Sequence, residues 1–181
     1  MKNIIIIGPP RCGKTTLAKR IVKNFNNFSI ISEDNFRTSY ISVCNDLNMD
    51  EFNLAIPTKQ CFYYLEESIE YENDLNYVLD TSTYKETLIE KFKDNSIIIF
   101  IGCNGLTKEE IFNNIRTYDK ETDWTYHESD YKVGLLCETI IRESKKYKEI
   151  AENNNYLYYD TSYDREKVLE KAFNEIKELI K

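Results

Sequence analysis

Gly8-Pro9-Pro10-Arg11-Cys12-Gly13-Lys14-Thr15 follows four consecutive isoleucines, Ile4 to Ile7. The stretch fits GxxxxGK[ST], a pattern in which a curled backbone turns successive N–H groups toward a phosphate oxygen. Each residue type has a physical reason. Gly8 and Gly13 permit the curl. A helix expected from about residue 13 to residue 25 points its positive dipole end at the same place. Lys14 would reach the β- and γ-phosphates of a nucleotide, and the Thr15 hydroxyl would ligate Mg²⁺. Gly8, Pro9, Pro10, Arg11, Cys12, Gly13, Lys14, Thr15 and Thr16 are therefore the expected nucleotide-binding residues. The flanks agree. Residues 4–7 read as a strand buried on both faces, and Leu17, Ile21 and Phe25 recur at i, i+4 and i+8 on one side of a helix.

Moving outward, strands alternate with helices. Residues 28–32 (FSIIS), 77–80 (YVLD), 96–101 (SIIIFI) and 155–159 (NYLYY) read as four further strands. Residues 40–73 read as mostly helical, with Pro57 in a first turn and Phe62, Leu65 and Ile69 on one face. Thr83 with Glu86, and Thr107 with Glu110, have the spacing of capping boxes before short helices. A polar stretch, residues 117–130, leads into a long helix over about 130–153. Thr161 with Asp164 should open the last helix, whose buried side carries Val168, Leu169, Ala172, Phe173, Ile176, Leu179 and Ile180. Alternation of this kind implies βαβ units, hence an α/β doubly wound parallel sheet with helices on both faces. Ligands in such sheets bind beyond the carboxyl ends of the strands. The loop after Ile7, the Glu33-Asp34 pair, Asp80 and the Asp160-Thr161-Ser162 turn all lie there.

The 181 residues suit one domain with its own core. Acidic residues outnumber basic ones by 31 to 24, giving a net charge of −7. Such a surface repels phosphate backbones and anionic lipid, so neither nucleic acid nor a membrane is an expected partner. No apolar run approaches the roughly 18 residues that a bilayer span needs. The five cysteines are scattered, with no CxxC pair, which argues against a zinc site or disulfide framework and for a reducing cytoplasm. Guanine-reading [NT]KxD and DxxG patterns are absent, which leaves adenine as the expected base.

A phosphate-binding loop after the first strand of one small α/β domain resembles the small P-loop kinases, the superfamily of adenylate kinase and shikimate kinase. The resemblance implies about five parallel strands in the order 2-3-1-4-5, three layers, ATP and Mg²⁺ as cofactors, and a small-molecule acceptor. It implies an acceptor-binding helical segment, residues 40–73, and a mobile lid, residues 116–142. It implies that Asp80, at the end of strand three, holds Mg²⁺ with Thr15; a turn or N-cap aspartate is the alternative. A carboxylate after strand two orients or deprotonates the acceptor hydroxyl in such kinases, and a nearby arginine binds the acceptor. Asp34 and Arg37 fit these roles, and Glu33 could exchange with Asp34. Lid arginines lend positive charge to the moving phosphoryl group, which singles out Arg116 and Arg142, with Lys120, Lys145 and Lys146 behind them. His127, Trp124 and Tyr126 lie in the lid, where a surface or packing role is the alternative. Adenylate kinases continue after strand three with a glycine and then an arginine. Here Asp80-Thr81-Ser82-Thr83 stands in that place, so that acceptor-binding arginine is missing.

The expectation is a kinase acting on a hydroxyl of a small molecule, as a monomer or homodimer. Its rivals are a nucleoside-monophosphate kinase, which the thin supply of arginines disfavours, and an ATP-binding regulatory protein without phosphotransfer.

Overall fold

Isoleucine fills four successive positions of the first strand because helices cover both faces of the sheet it belongs to. The computed structural model describes residues 2–49, 53–71 and 74–180. β1 (Asn3–Ile7) runs parallel between β3 (Asn76–Thr81) and β4 (Ser96–Gly102). β2 (Phe28–Ser32) pairs with the far side of β3, and β5 (Leu157–Asp160) with the far side of β4. The order β2-β3-β1-β4-β5 is the one the resemblance implies. Successive isoleucines of β1 divide between the layers. Ile4 and Ile6 meet Leu17, Ile21, Leu169 and Ile176 on one face, while Ile5 and Ile7 meet Phe62, Leu65 and Phe100 on the other. Each such buried side chain stabilises the fold by about 1.5–3 kcal/mol.

The first layer contains α1 (Lys14–Asn24), α5 (Lys108–Tyr118) and α7 (Arg165–Leu179). The second contains α3 (Ala55–Tyr71) and the short α4 (Glu86–Ile89), which continues as a 3₁₀ turn over Glu90–Phe92. α2 (Glu33–Asp46) packs on α3. The long α6 (Asp130–Asn154) serves both layers. Its Val133, Cys137 and Ile140 join the first, and its Tyr147 and Ala151 the second.

Three expectations need correction. The helix after strand two starts at Glu33, directly after Ser32, and not at residue 40; two acids in its first turn favour the helix dipole there. The segment 40–73 accordingly contains the end of α2 and all of α3, with 50–52 and 72–73 outside the described residues. The Thr83–Glu86 capping box does not form. Lys85 is the N-cap of α4, and the Thr83 hydroxyl donates to Glu33 instead. Asp164 does cap α7, accepting from the Lys167 N–H, but Thr161 takes no part in the cap. The Thr107–Glu110 box forms as expected.

Register brings the site together. Ile7 lies opposite Thr81, Ser32 opposite Asp80, and Gly102 opposite Asp160, so all five strands end along one edge. Among the described residues no helix is long and apolar enough to cross a membrane.

Candidate active site

At that edge the chain after β1 curls into the phosphate-binding loop. Gly8 has no room for a side chain, because a Cβ there would lie 2.3 Å from the Ile101 carbonyl oxygen. Gly13 holds φ at 101°, a conformation open to glycine and strained for other residues. Gly13 is also the N-cap of α1, which has no side-chain cap and no acid in its first turn. By contrast, Thr107, Ser129 and Asp164 cap α5, α6 and α7 through their side chains. The first amides of α1 are thus left for an anion.

Lys14 is buried along its stem, and its Nζ donates to the Pro9 carbonyl at 3.1 Å, folded back over its own loop. The exposed Thr15 donates its hydroxyl to Asp80 Oδ2 at 2.5 Å. Burial pushes the Asp80 carboxyl above its usual range, against the pull of the Lys14 charge and the Thr15 hydroxyl; the nearby charges of Asp34 and Glu33 push it further up. A hydroxyl and a carboxylate in contact, in a crowded anionic corner, fit a small hard cation. Among the described residues no three His, Cys, Asp or Glu side chains cluster to hold a metal. A Mg²⁺ bound mainly by phosphates and water needs only one or two protein oxygens.

Glu33 is the most heavily hydrogen-bonded carboxylate of the site. Thr58 and Thr83 donate to Oε1 at 2.6 and 2.9 Å, and Thr81 and the Ser82 N–H donate to Oε2 at 2.6 and 2.8 Å. Arg37 adds an ion pair at 3.1 Å. Burial pushes the Glu33 carboxyl up, but these donors together outweigh it and hold it down at about 2. A carboxylate so satisfied is a weak proton acceptor, which favours Asp34 over Glu33 as the candidate base. Asp34, one residue on, is exposed and near enough to Asp80 to raise its pKa.

A stability prediction follows from Glu33. Its folded pKa of about 2 lies below the ordinary 4.5, so its contribution is complete above about pH 4.5 and is lost as pH falls toward 2. That contribution is about 3 kcal/mol, of which about 2 kcal/mol is gone by pH 3. Glu33→Gln should lower stability at pH 7 by a similar amount and flatten the difference in stability between pH 7 and pH 3. Urea unfolding of both proteins at the two pH values measures this. An unchanged pH slope in the variant would refute the role of Glu33.

No protein-family model matches the chain, and no curated protein matches its sequence. Solved structures do match. A shikimate kinase from Bacteroides thetaiotaomicron aligns over 99% of this chain and 99% of that one, with a TM-score of 0.61 at 15% identity. A gluconokinase from Sinorhizobium meliloti aligns over 98% and 93%, with a TM-score of 0.62 at 12% identity. A shikimate kinase from Acinetobacter baumannii, in complex with shikimate, aligns over 99% and 93%, with a TM-score of 0.58 at 14% identity. This chain has the small P-loop kinase fold. At these identities the likeness speaks for architecture, and the chemistry must be argued from the side chains.

Within the P-loop kinase fold, the structure brings together Lys14, Thr15, Asp80 and Asp34, and sets Arg37 against Glu33. The basic residues of segment 116–142 and its C-terminal flank make contacts of their own. Arg116 donates to the Thr125 and Glu128 carbonyls at 3.0 and 2.8 Å and pairs with Asp130 at 2.6 Å, shaping the turn before α6. Arg142 is exposed and pairs with its neighbour Glu143. Lys146 likewise leans toward Glu143, and Lys120 and Lys145 are exposed. His127 packs edge-on against Tyr126, and Trp124 is exposed.

Between the loop and the segment 116–142, the loop supplies an arginine and the segment supplies acids. Arg11 pairs with the buried Asp119, pairs with Asp123 at 3.3 Å, and donates to the Thr125 hydroxyl at 3.0 Å. Its φ of 69° is a left-handed backbone that costs a non-glycine residue roughly 1–2 kcal/mol, which these contacts offset. Arg165, which the sequence reading did not single out, also lies beside the loop. It opens α7 beside Gly13 and donates to the Thr16 hydroxyl at 3.3 Å. A basic residue just after the strand-five turn, where nucleotides approach in this topology, was the available signal.

Proposed function

We propose that this protein is an ATP- and Mg²⁺-dependent kinase that moves the γ-phosphoryl group of ATP to a hydroxyl of a small molecule. One observation carries the reading: the uncapped N-terminus of α1, with Lys14 and Thr15, lies at the same sheet edge as Asp34 and Asp80. A protein that only binds nucleotide needs the first half of this arrangement and has no use for an exposed carboxylate such as Asp34.

In this reading the loop amides and Lys14 hold the β- and γ-phosphates and oppose the charge that builds during transfer. Thr15 would hold Mg²⁺, with Asp80 behind it, and the ion would supply charge neutralisation at the phosphates. Asp34 takes the proton of the acceptor hydroxyl as the new O–P bond forms in line and the bond to the bridging oxygen breaks, with ADP leaving. Arg37 faces the acceptor; its Nε is buried without a hydrogen-bond partner among the described residues. Because Glu33 already offsets the Arg37 charge, a phosphorylated acceptor such as a nucleoside monophosphate fits poorly. The cytoplasm suits five free cysteines, and the net charge of −7 disfavours nucleic acid.

The test is phosphotransfer from labelled ATP to a panel of hydroxylated metabolites. A labelled product supports the kinase. Tight Mg·ATP binding with no acceptor consumed would favour the regulatory protein.

Two expected results belong with this reading. Thr15→Ala and Asp80→Asn should each raise the Mg²⁺ concentration for half-maximal turnover by about tenfold or more. An unchanged Mg²⁺ titration would remove that residue from the metal shell. The segment 116–142 should act as a lid that closes further over bound nucleotide and excludes water. Hydrogen exchange with a non-hydrolysable ATP analogue should then slow across it, whereas equal exchange with and without the analogue argues against closure.

A further inference from the structure

Two thiols that phosphate binding does not require face each other beneath the loop. Cys12 follows Arg11 in the loop and Cys103 follows Gly102 at the end of β4. Their sulfurs lie 3.4 Å apart although 91 residues separate them in the chain. Both are buried and free, as are Cys44, Cys61 and Cys137. We propose that Cys12 and Cys103 form a site of oxidative modification, at which a peroxide converts the facing thiols into a disulfide that displaces the phosphate-binding loop and weakens nucleotide binding.

The backbone already holds the pair in place. The Thr161 hydroxyl lies 3.1 Å from the Cys12 carbonyl and 3.0 Å from the Gly102 carbonyl, clamping the two segments together from the β5 side. A disulfide has sulfurs about 2.05 Å apart, so closure requires an approach of about 1.3 Å. The two partners do not yield equally. Cys103 sits at a strand end, with its N–H donated to the Ser144 hydroxyl at 3.1 Å. Cys12 sits in a loop, between Arg11 and Gly13, both in left-handed backbone. Movement therefore falls on Cys12 and on the adjoining amides that cradle phosphate.

The chemistry has a direction. Hydrogen bonds from Cys12 and Ser144 favour the thiolate of Cys103 over the pull of burial and of the Asp160 charge. The hydrogen bond between the two thiols, together with burial, pushes the Cys12 thiol well up. Cys103 is also the more exposed of the two, at 6% against 2%. Its sulfur attacks one oxygen of hydrogen peroxide, the O–O bond breaks, and a sulfenic acid and one water result. The Cys12 sulfur then attacks the Cys103 sulfur, an S–S bond forms, and the hydroxyl leaves with the Cys12 proton as a second water. Two thiols and one peroxide become one disulfide and two waters; two electrons pass from sulfur to oxygen. In a reducing compartment the pair rests as thiols and closes only when peroxide rises.

The effect on binding rests on the nucleotide reading above, whereas the disulfide itself does not, and the experiment separates them. The full-length reduced protein is treated with hydrogen peroxide under native conditions, its remaining thiols are blocked, and the product is digested and mapped by mass spectrometry. Mg·ATP affinity is measured by calorimetry before oxidation, after it, and after dithiothreitol. The expected result is a linked Cys12–Cys103 peptide and an affinity at least about tenfold weaker, restored by dithiothreitol. Cys103→Ala should bind like the reduced wild type and resist peroxide; Cys103→Ser, which keeps a hydroxyl beside Ser144, serves the same purpose if the alanine packs badly. The proposal is overturned if no such linked peptide forms, or if it forms and the affinity stays the same. If the reduced protein binds no Mg·ATP, the nucleotide reading and the switch both fail, and the peptide map still decides the disulfide.

Discussion

Lys14→Ala should lower turnover by about 10³-fold and leave the protein folded. The rate loss follows from the position of the ammonium group at the head of an uncapped helix, where a low-dielectric pocket strengthens its hold on phosphate oxygens. Removing one such preorganised donor from a charge-stabilising site typically costs 10²–10³ in rate, and a full positive charge belongs at the upper end. Folding should barely notice, because Nζ donates only to the Pro9 carbonyl of its own loop. Losing that bond costs about 1 kcal/mol, or roughly 3 °C in Tm for a chain of this size. Calorimetry with Mg·ATP, turnover and thermal unfolding measure the three effects together. A variant that binds and turns over ATP as the wild type does would end the phosphate-loop assignment.

The loop was legible in the sequence because its physics is local. Eight consecutive residues specify the curl, the charge and the helix start, and the flanking isoleucines and Leu17, Ile21 and Phe25 specify what lies either side. The strand order also came through, since alternating strands and helices admit few topologies and the resemblance selected one of them. What escaped depends on distant partners. Glu33 receives its donors from Thr58, Thr81, Ser82 and Thr83, between 25 and 50 residues away, so nothing near it marks it as a buried hub. The same bonds explain the false capping box. Thr83 has the spacing to cap a helix, but it is tied by its O–H to the Glu33 carboxylate, and α4 starts two residues later with Lys85 as its N-cap. The contacts of Arg11 were not legible either, because its partners Asp119, Asp123 and Thr125 lie more than a hundred residues on, in a segment whose turns follow no periodic pattern. Asp119 and Asp123 of the segment 116–142 are the residues that pair with the loop arginine.

Asp34→Asn should reduce turnover by 10²–10⁴-fold, or roughly 3–5 kcal/mol of barrier, with ATP affinity nearly unchanged. The substitution keeps the shape of the side chain and removes its basic oxygen. Glu33 substitutes poorly for it, because its donors hold its carboxyl at about 2. Asp80 is also poorly suited, as its Oδ2 accepts the Thr15 hydroxyl on the metal side of the site. On the proposed reading, Asp34 is the exposed carboxylate at the start of α2 left to meet an incoming hydroxyl. Arg37→Ala should act differently and raise the acceptor KM with less effect on kcat, because it removes binding shared by ground state and transition state. Arg37 also pairs with Glu33, so its variant needs a parallel check of unfolding in urea. Steady-state kinetics with an acceptor from the phosphotransfer screen separate the two residues. A wild-type kcat in Asp34→Asn would exclude Asp34 as the base. It would leave Asp80 to accept the proton, and the raised pKa that burial gives Asp80 would then belong to catalysis rather than to metal binding.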